Sequence, residues 1–245
     1  MRRILSAIWI ALLCPALALG AVAYDSSNSA TSGTGVTGVS LTINASGSNR
    51  LLVCAVHQND GSNETVSSVT HNGVNLTHSA VGQITTGTDY AVDLWYLIAP
   101  ATNNQTVTAT LSGTAADKAL TCVTFTGAHQ TTPMGTCGTD SGIVDSGTPG
   151  SVTITIASGG MGIAVATNND SAVSPGFTVD ANSTKRIDIA NANYAAIVST
   201  SATSGTNAMT IAGVGAAYQS TIACPIAQAA AGAPAPAKRR AVVFQ

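Results

Sequence analysis

The sequence predicts an all-β protein: a two-sheet antiparallel β-sandwich, jelly-roll-like, built from two pseudo-repeated halves. Three observations lead there. First, Tyr90, Val92, Leu94, Tyr96 and Ile98 alternate onto one face of a single stretch, the period of two that a strand imposes. Second, runs of this kind recur along the chain, each short, each bounded by Gly, Ser, Thr or Asn, and none with the 3.6 period of a helix. Third, motifs return in the same order about 100 residues later, the mark of an internal repeat. Thr42-Ile43-Asn44-Ala45-Ser46-Gly47 returns as Thr155-Ile156-Ala157-Ser158-Gly159, and Cys54-Ala55-Val56 as Ala164-Val165-Ala166. Leu111-Ser112-Gly113 returns as Ile211-Ala212-Gly213, and Leu120-Thr121-Cys122 as Ile222-Ala223-Cys224. Two halves can interlace into one jelly roll or stand as tandem sandwiches. The first arrangement is expected, because the second half is poor in aromatics for a core of its own.

Residues 1–23 read as a secretory signal peptide: Arg2 and Arg3, an apolar run Ile4–Leu13, then small residues at Ala18–Ala23. The apolar run is shorter than the ~20 residues of a membrane span. Leu13 stands before Cys14 where a lipidation site has a small residue, so no lipid anchor is expected. No later run is long enough to span a bilayer.

The remaining chain of about 220 residues suits one large all-β domain or two small ones. It is expected to form a sandwich over 24–227, with halves at about 24–128 and 150–227, followed by a linker and basic tail over 228–245. Tyr24–Gly38 is Ser/Gly/Thr-rich and reads as extended or loosely ordered. Val39–Ile43 is the first clear strand, and Leu51–His57, nearly all apolar, reads as a central one. Asn72-Gly73 signals a tight hairpin. Pro100 closes the Tyr90–Ile98 strand, having no N–H for the ladder, and Thr106–Leu111 and Ala119–Thr126 resume. The stretch from Gln130 to Gly150 holds turn formers without alternation and reads as a connection. Short strands restart at Val152–Ile156 and continue to Ala217–Ile226.

Charged residues are 8 % of the chain, and the one basic cluster is Lys238-Arg239-Arg240. Without a basic stripe to neutralise phosphates, nucleic acid is not an expected partner. Cys54, Cys122, Cys137 and Cys224 remain after cleavage, an even number that in an exported chain suggests two disulfides. Three connectivities are open, and buried free thiols are the alternative.

Few residues suit chemistry. Glu64 is the only glutamate, and Asp89 and Asp93, four apart in a strand, would stand about 13 Å apart, too far for a retaining carboxylate pair. No nucleophile elbow or phosphate loop occurs. His71 and His78 flank the Asn72-Gly73 hairpin, the placement a two-histidine metal site would use, though exposed polar positions are the commoner reading. Asp140 and Asp145 sit in a glycine-rich loop and are candidate calcium ligands, set against an ordinary turn. Trp95 shares a face with Asp93, opposite Leu94 and Tyr96, so this strand carries large apolar groups on both faces. Either another segment covers Trp95, the expected outcome for a large aromatic, or Trp95 and Asp93 form a ligand platform.

The order Asn49-Arg50-Leu51-Leu52-Val53, Gly73-Val74-Asn75-Leu76-Thr77, Leu94-Trp95-Tyr96-Leu97, Ala99-Pro100 and Phe125-Thr126-Gly127 before Gln130-Thr131-Thr132-Pro133 resembles a known group. These are secreted bacterial and phage-associated β-sandwich modules of surface and adhesion-type proteins. The resemblance covers about Tyr24 to Ile226 and implies an extracellular sandwich without a set of catalytic residues. The chain departs from it at His129, where an acidic residue is usual, and lacks a tryptophan late in the second half. The expectation is a non-catalytic secreted module for adhesion or carbohydrate binding, with a glycan or cell-surface ligand. The competing expectation is a structural subunit, a virion decoration or filament, self-associating through sheet edges or through Ala241–Phe244 of the tail.

Overall fold

The computed structural model describes residues 20–59, 64–79, 84–86, 90–114, 117–144, 150–168, 176–191, 194–212 and 217–230. The expected signal peptide, except its last residues, and the basic tail lie outside them. Among the described residues every regular element is a strand, and the strands form four antiparallel sheets.

The first half builds two sheets. Its inner sheet runs β1 (Ala23–Ser32), β10 (Asp117–Thr126), β3 (Leu51–Asn59), β8 (Tyr90–Ile98) and β6 (Thr77–His78), with β7 (Ile84–Thr86) also pairing with β8. Its outer sheet runs β2 (Gly38–Ala45), β9 (Asn103–Leu111), β4 (Val66–His71) and β5 (Val74–Asn75). The second half repeats the plan. Its inner sheet runs β11 (Gly138–Val144), β18 (Ala217–Ile226), β13 (Met161–Asn168), β16 (Tyr194–Ser201) and β15 (Ser183–Asn191). Its outer sheet runs β12 (Gly150–Ile156), β17 (Gly205–Ala212) and β14 (Thr178–Val179). Each repeated motif falls on corresponding strands: β2 and β12, β3 and β13, β9 and β17, β10 and β18.

Three apolar cores separate four layers. Val39, Leu41 and Ile43 of the first outer sheet meet Leu52, Cys54, Val56, Leu120 and Cys122. Ile154, Ile156, Met209 and Ile211 of the second meet Ala164, Ala166 and Ile197. Between the halves, Leu51, Val53, Leu94, Val123 and Phe125 meet Ile163, Val165, Val198 and Ile222. The outer strands therefore alternate, with Val39, Leu41 and Ile43 buried and Ser40, Thr42 and Asn44 exposed. The central inner strands are covered on both faces: β13 is buried throughout and β10 at all but its ends.

The all-β antiparallel sandwich expected from the sequence is present, but the strand order keeps the halves in separate sheets, where one interlaced jelly roll would mix them. The second half needs few aromatics because its inner sheet draws half of its cover from the first half. Two segments to which the sequence assigned no strand are strands. The Ser-rich start is β1, and the turn-rich connection contains β11; both lie at the edge of an inner sheet, where one flank lacks a strand neighbour. The Asn72-Gly73 hairpin is present, with φ of 49° and 78°, and joins β4 to β5.

Polar contacts reinforce the seam. The Arg186 guanidinium stands 4.0 Å over the Tyr24 ring, and its Nε donates to Thr200 Oγ1 (2.9 Å). The two ends of the described chain meet: Gln228 Nε2 donates to Gly20 O (3.3 Å), and Val22 N to Gly159 O (2.7 Å).

Both disulfides form. Cys54–Cys122 joins directly opposed positions of β3 and β10, and Cys137–Cys224 ties the segment before β11 to β18. They close chain separations of 68 and 87 residues, lengths at which a bridge is worth about 2–4 kcal/mol. Replacing Cys54 and Cys122 together by alanine should lower the chemical-denaturation stability by that amount with native strand content retained; an unchanged midpoint would deny the bridge a role.

Candidate functional site

The first sandwich opens along one side, where the chain leaves the outer sheet after β5 and crosses to the inner sheet as β6. Thr77 and His78 pair there with Tyr96 and Trp95 of β8. Side chains directly opposed on an antiparallel pair lie close, and the His78 and Trp95 rings are 4.6 Å apart at a tilt of 38°. Asp93 lies two residues before Trp95 on the same face, and its Oδ1 is hydrogen-bonded to His78 Nε2. The Asp93 side chain is 4 % exposed and that of His78 40 %. Burial pushes the Asp93 carboxyl up, while hydrogen bonding and charge from His78, the Trp95 indole and the Leu94 amide oppose the shift. The indole N–H lies near enough for that effect without hydrogen-bond geometry, so it remains buried and without a partner.

Trp95 is half-buried: its body packs on the core between the first two sheets, and the rest borders a groove of about 170 Å³. Ser67, Ser68 and Val69 of β4, with Asn75 and Leu76, form the other wall. The sequence offered coverage or exposure for Trp95, and the crossover chain supplies part of each. Asp93 does not line the groove; it holds His78 against the indole. Ser67, Ser68 and Asn75 carried no signal in the sequence, because only the layering brings the β4–β5 hairpin beside β8.

The remaining candidates disperse. His71 and His78 fall in different sheets, because the hairpin ends at β5 and β6 belongs to the inner sheet, so they do not form the facing pair the sequence suggested. His129 accepts the amides of Thr131 and Thr132 at Nδ1 (3.2 and 3.0 Å). Asp140 accepts the amide of Ser151 (2.8 Å), a bond between strands; Asp145 and Asp89 lie outside the described residues. Among the described residues no three His, Cys, Asp or Glu side chains gather in a way that could hold a metal. Other carboxylates hold backbone: Asp25 receives the Ser46 amide (2.8 Å), and Asp180 the amides of Asn182 (2.9 Å) and Thr210 (3.1 Å). Asp25, Asp140 and Asp180 thus serve as joints of the scaffold.

No known protein family, curated protein or solved structure matches the chain. Fold and site define an all-β protein of two β-sandwiches packed back to back. Its two disulfides fit an oxidising environment. No helix among the described residues is long and apolar enough to cross a membrane.

His57 is a fully buried titratable group. It lies on the seam face of β3, with Nε2 on Thr121 Oγ1 (2.9 Å) and Nδ1 without a partner. Burial lowers its pKa to about 3, and burial also lowers that of His71. The unfolded chain therefore binds protons that the native chain refuses. Stability is full above the ordinary histidine value of about 6.5 and falls as pH drops toward about 3, by at most ~1.4 kcal/mol per pH unit for His57. Denaturation between pH 6.5 and 4.5 should show this loss, and His57→Leu should flatten it; an unchanged slope in the variant would remove His57 from the explanation.

Proposed function

We propose that the protein is a non-catalytic, exported cell-surface module that binds carbohydrate at the Trp95 groove. The observation that carries this reading is the pairing of a half-buried indole with hydroxyl and amide groups across one small groove. A sugar ring has an apolar face of C–H groups and a rim of hydroxyls. Trp95 offers a surface for the face, while Ser67, Ser68 and Asn75 offer donors and acceptors for the rim. At about 170 Å³ the groove is smaller than the ~300–1,000 Å³ of sites for drug-sized ligands, which favours a single ring or chain terminus. His78, stacked on the indole and held by Asp93, keeps the aromatic wall in one orientation.

The non-catalytic part is supported by Asp25, Asp140 and Asp180, whose carboxylates are engaged in joining the backbone. Export is supported by the disulfides and by the signal-like first 23 residues. The resemblance to surface and adhesion-type modules points the same way.

A glycan array on the native chain should return a ligand class whose binding Asn75→Ala weakens about tenfold and Trp95→Ala abolishes. Asn75 is exposed, so its truncation leaves the core intact even if Trp95→Ala destabilises it. Polysaccharide turnover that disappears in Asp93→Ala would replace this reading with an enzymatic one.

A further inference from the structure

We propose that the edge of β12 is an acceptor for an added β-strand, and that the strand it takes is the chain's own C-terminal segment Ala241–Phe244. This site lies in the second sandwich and is independent of the Trp95 groove.

The two outer sheets end in equivalent edge strands, β2 and β12, whose outward backbone groups require partners. In the first half, side chains cover two of the outward carbonyls. Asn28 Nδ2 donates to Thr42 O (2.7 Å), and Ser26 Oγ and Thr124 Oγ1 donate to Asn44 O (2.5 and 3.0 Å). In the second half, Ser151 faces Thr210 across the β12–β17 ladder but sends its N–H outward to Asp140. Backbone direction alternates along an antiparallel strand, so Thr153 and Thr155 turn their N–H and C=O groups outward as well. No hydrogen bond between described residues reaches those outward groups. Beside them runs a groove of about 490 Å³, between residues 135–138 and residues 153–155.

The groove is held open by the residues that border it. Asn28, which covers the edge in the first half, faces Cys122 across the β1–β10 ladder. The corresponding partner of Cys224 is Cys137, whose side chain is committed to the disulfide. Two residues before it stands Gly135, and directly after it Gly138. A Cβ at Gly135 would come within 2.9 Å of Pro225 Cγ, and one at Gly138 within 2.6 Å of Val152 Cγ1. Neither glycine can carry a side chain toward the edge, and Thr136 between them borders the groove.

The path of the chain identifies the occupant. Gly135 N donates to Pro225 O (2.9 Å), so the chain borders this groove at Pro225 before it passes on beside Pro133 and Gly127, where Ala227 N and Ala229 N donate to their carbonyls (both 2.8 Å). The Gln228 side chain lies against Gly159, just beyond the end of β12. From there residues 231–240 are rich in Ala and Pro and can reach up to about 33 Å when extended. They lead into Ala241-Val242-Val243-Phe244, whose β-branched and aromatic residues favour a strand. Addition of such a segment to an open edge supplies the missing backbone partners.

Amide hydrogen exchange of the full chain, compared with a chain ending at Ala230, tests the proposal. The Thr153 and Thr155 amides should exchange at least tenfold faster in the shortened chain, with the rest of β12 and β17 unchanged. A peptide of residues 239–245 added to the shortened chain should restore the slow rates. Val242→Pro with Val243→Pro in the full chain, removing donors in either register, should match the shortened chain. Equal rates at Thr153 and Thr155 in all forms, or a peptide without effect, would overturn it.

Discussion

Two neighbouring sheets that are covered on both faces set the terms for everything else. The seam between them is apolar along most of its length, from Leu51 and Phe125 to Ile163 and Ile222, and it makes one body of two similar halves. A sheet with two buried faces has nowhere to put ordinary polar alternation, so β13 and the first six residues of β3 are nearly continuous apolar runs, and β10 is buried at all but its ends. Two of the polar side chains at the seam, His57 and Thr121, are hydrogen-bonded to each other. The outer sheets carry the opposite obligation, and their Ser, Thr and Asn positions face outward.

That constraint explains what the sequence could and could not disclose. Alternating strands such as β2, β9 and β12 were legible because each has one wet face, and the Asn72-Gly73 hairpin because its backbone needs those residues. The repeat was legible as well, and it proved to be a duplicated sheet plan. The apolar groups on both faces of the Tyr90–Ile98 strand were seen, yet a single sandwich has no second core for them; the four layers do. β1 and β11 escaped notice because edge strands rich in Ser, Thr and Gly lack the apolar half of the pattern.

The site shows the same division. Trp95 and Asp93 stood out by residue type and shared face. Their partner His78 did not, because its sequence neighbourhood suggested His71, and only the crossing of the chain from β5 to β6 separates those two histidines. Ser67, Ser68 and Asn75 resemble dozens of other polar residues in the chain, and nothing short of sheet stacking distinguishes them.

The meeting of Gly20 with Gln228 has a mechanical consequence. Any polypeptide continuing in either direction departs from one spot, so both sandwiches hang from it as a pendant. A pull across that spot loads the hydrogen bonds that tie down the two ends, Gln228–Gly20, Val22–Gly159 and Ala229–Gly127, before it reaches the cores. Behind them the Cys54–Cys122 and Cys137–Cys224 bonds cap how far the chain can pay out.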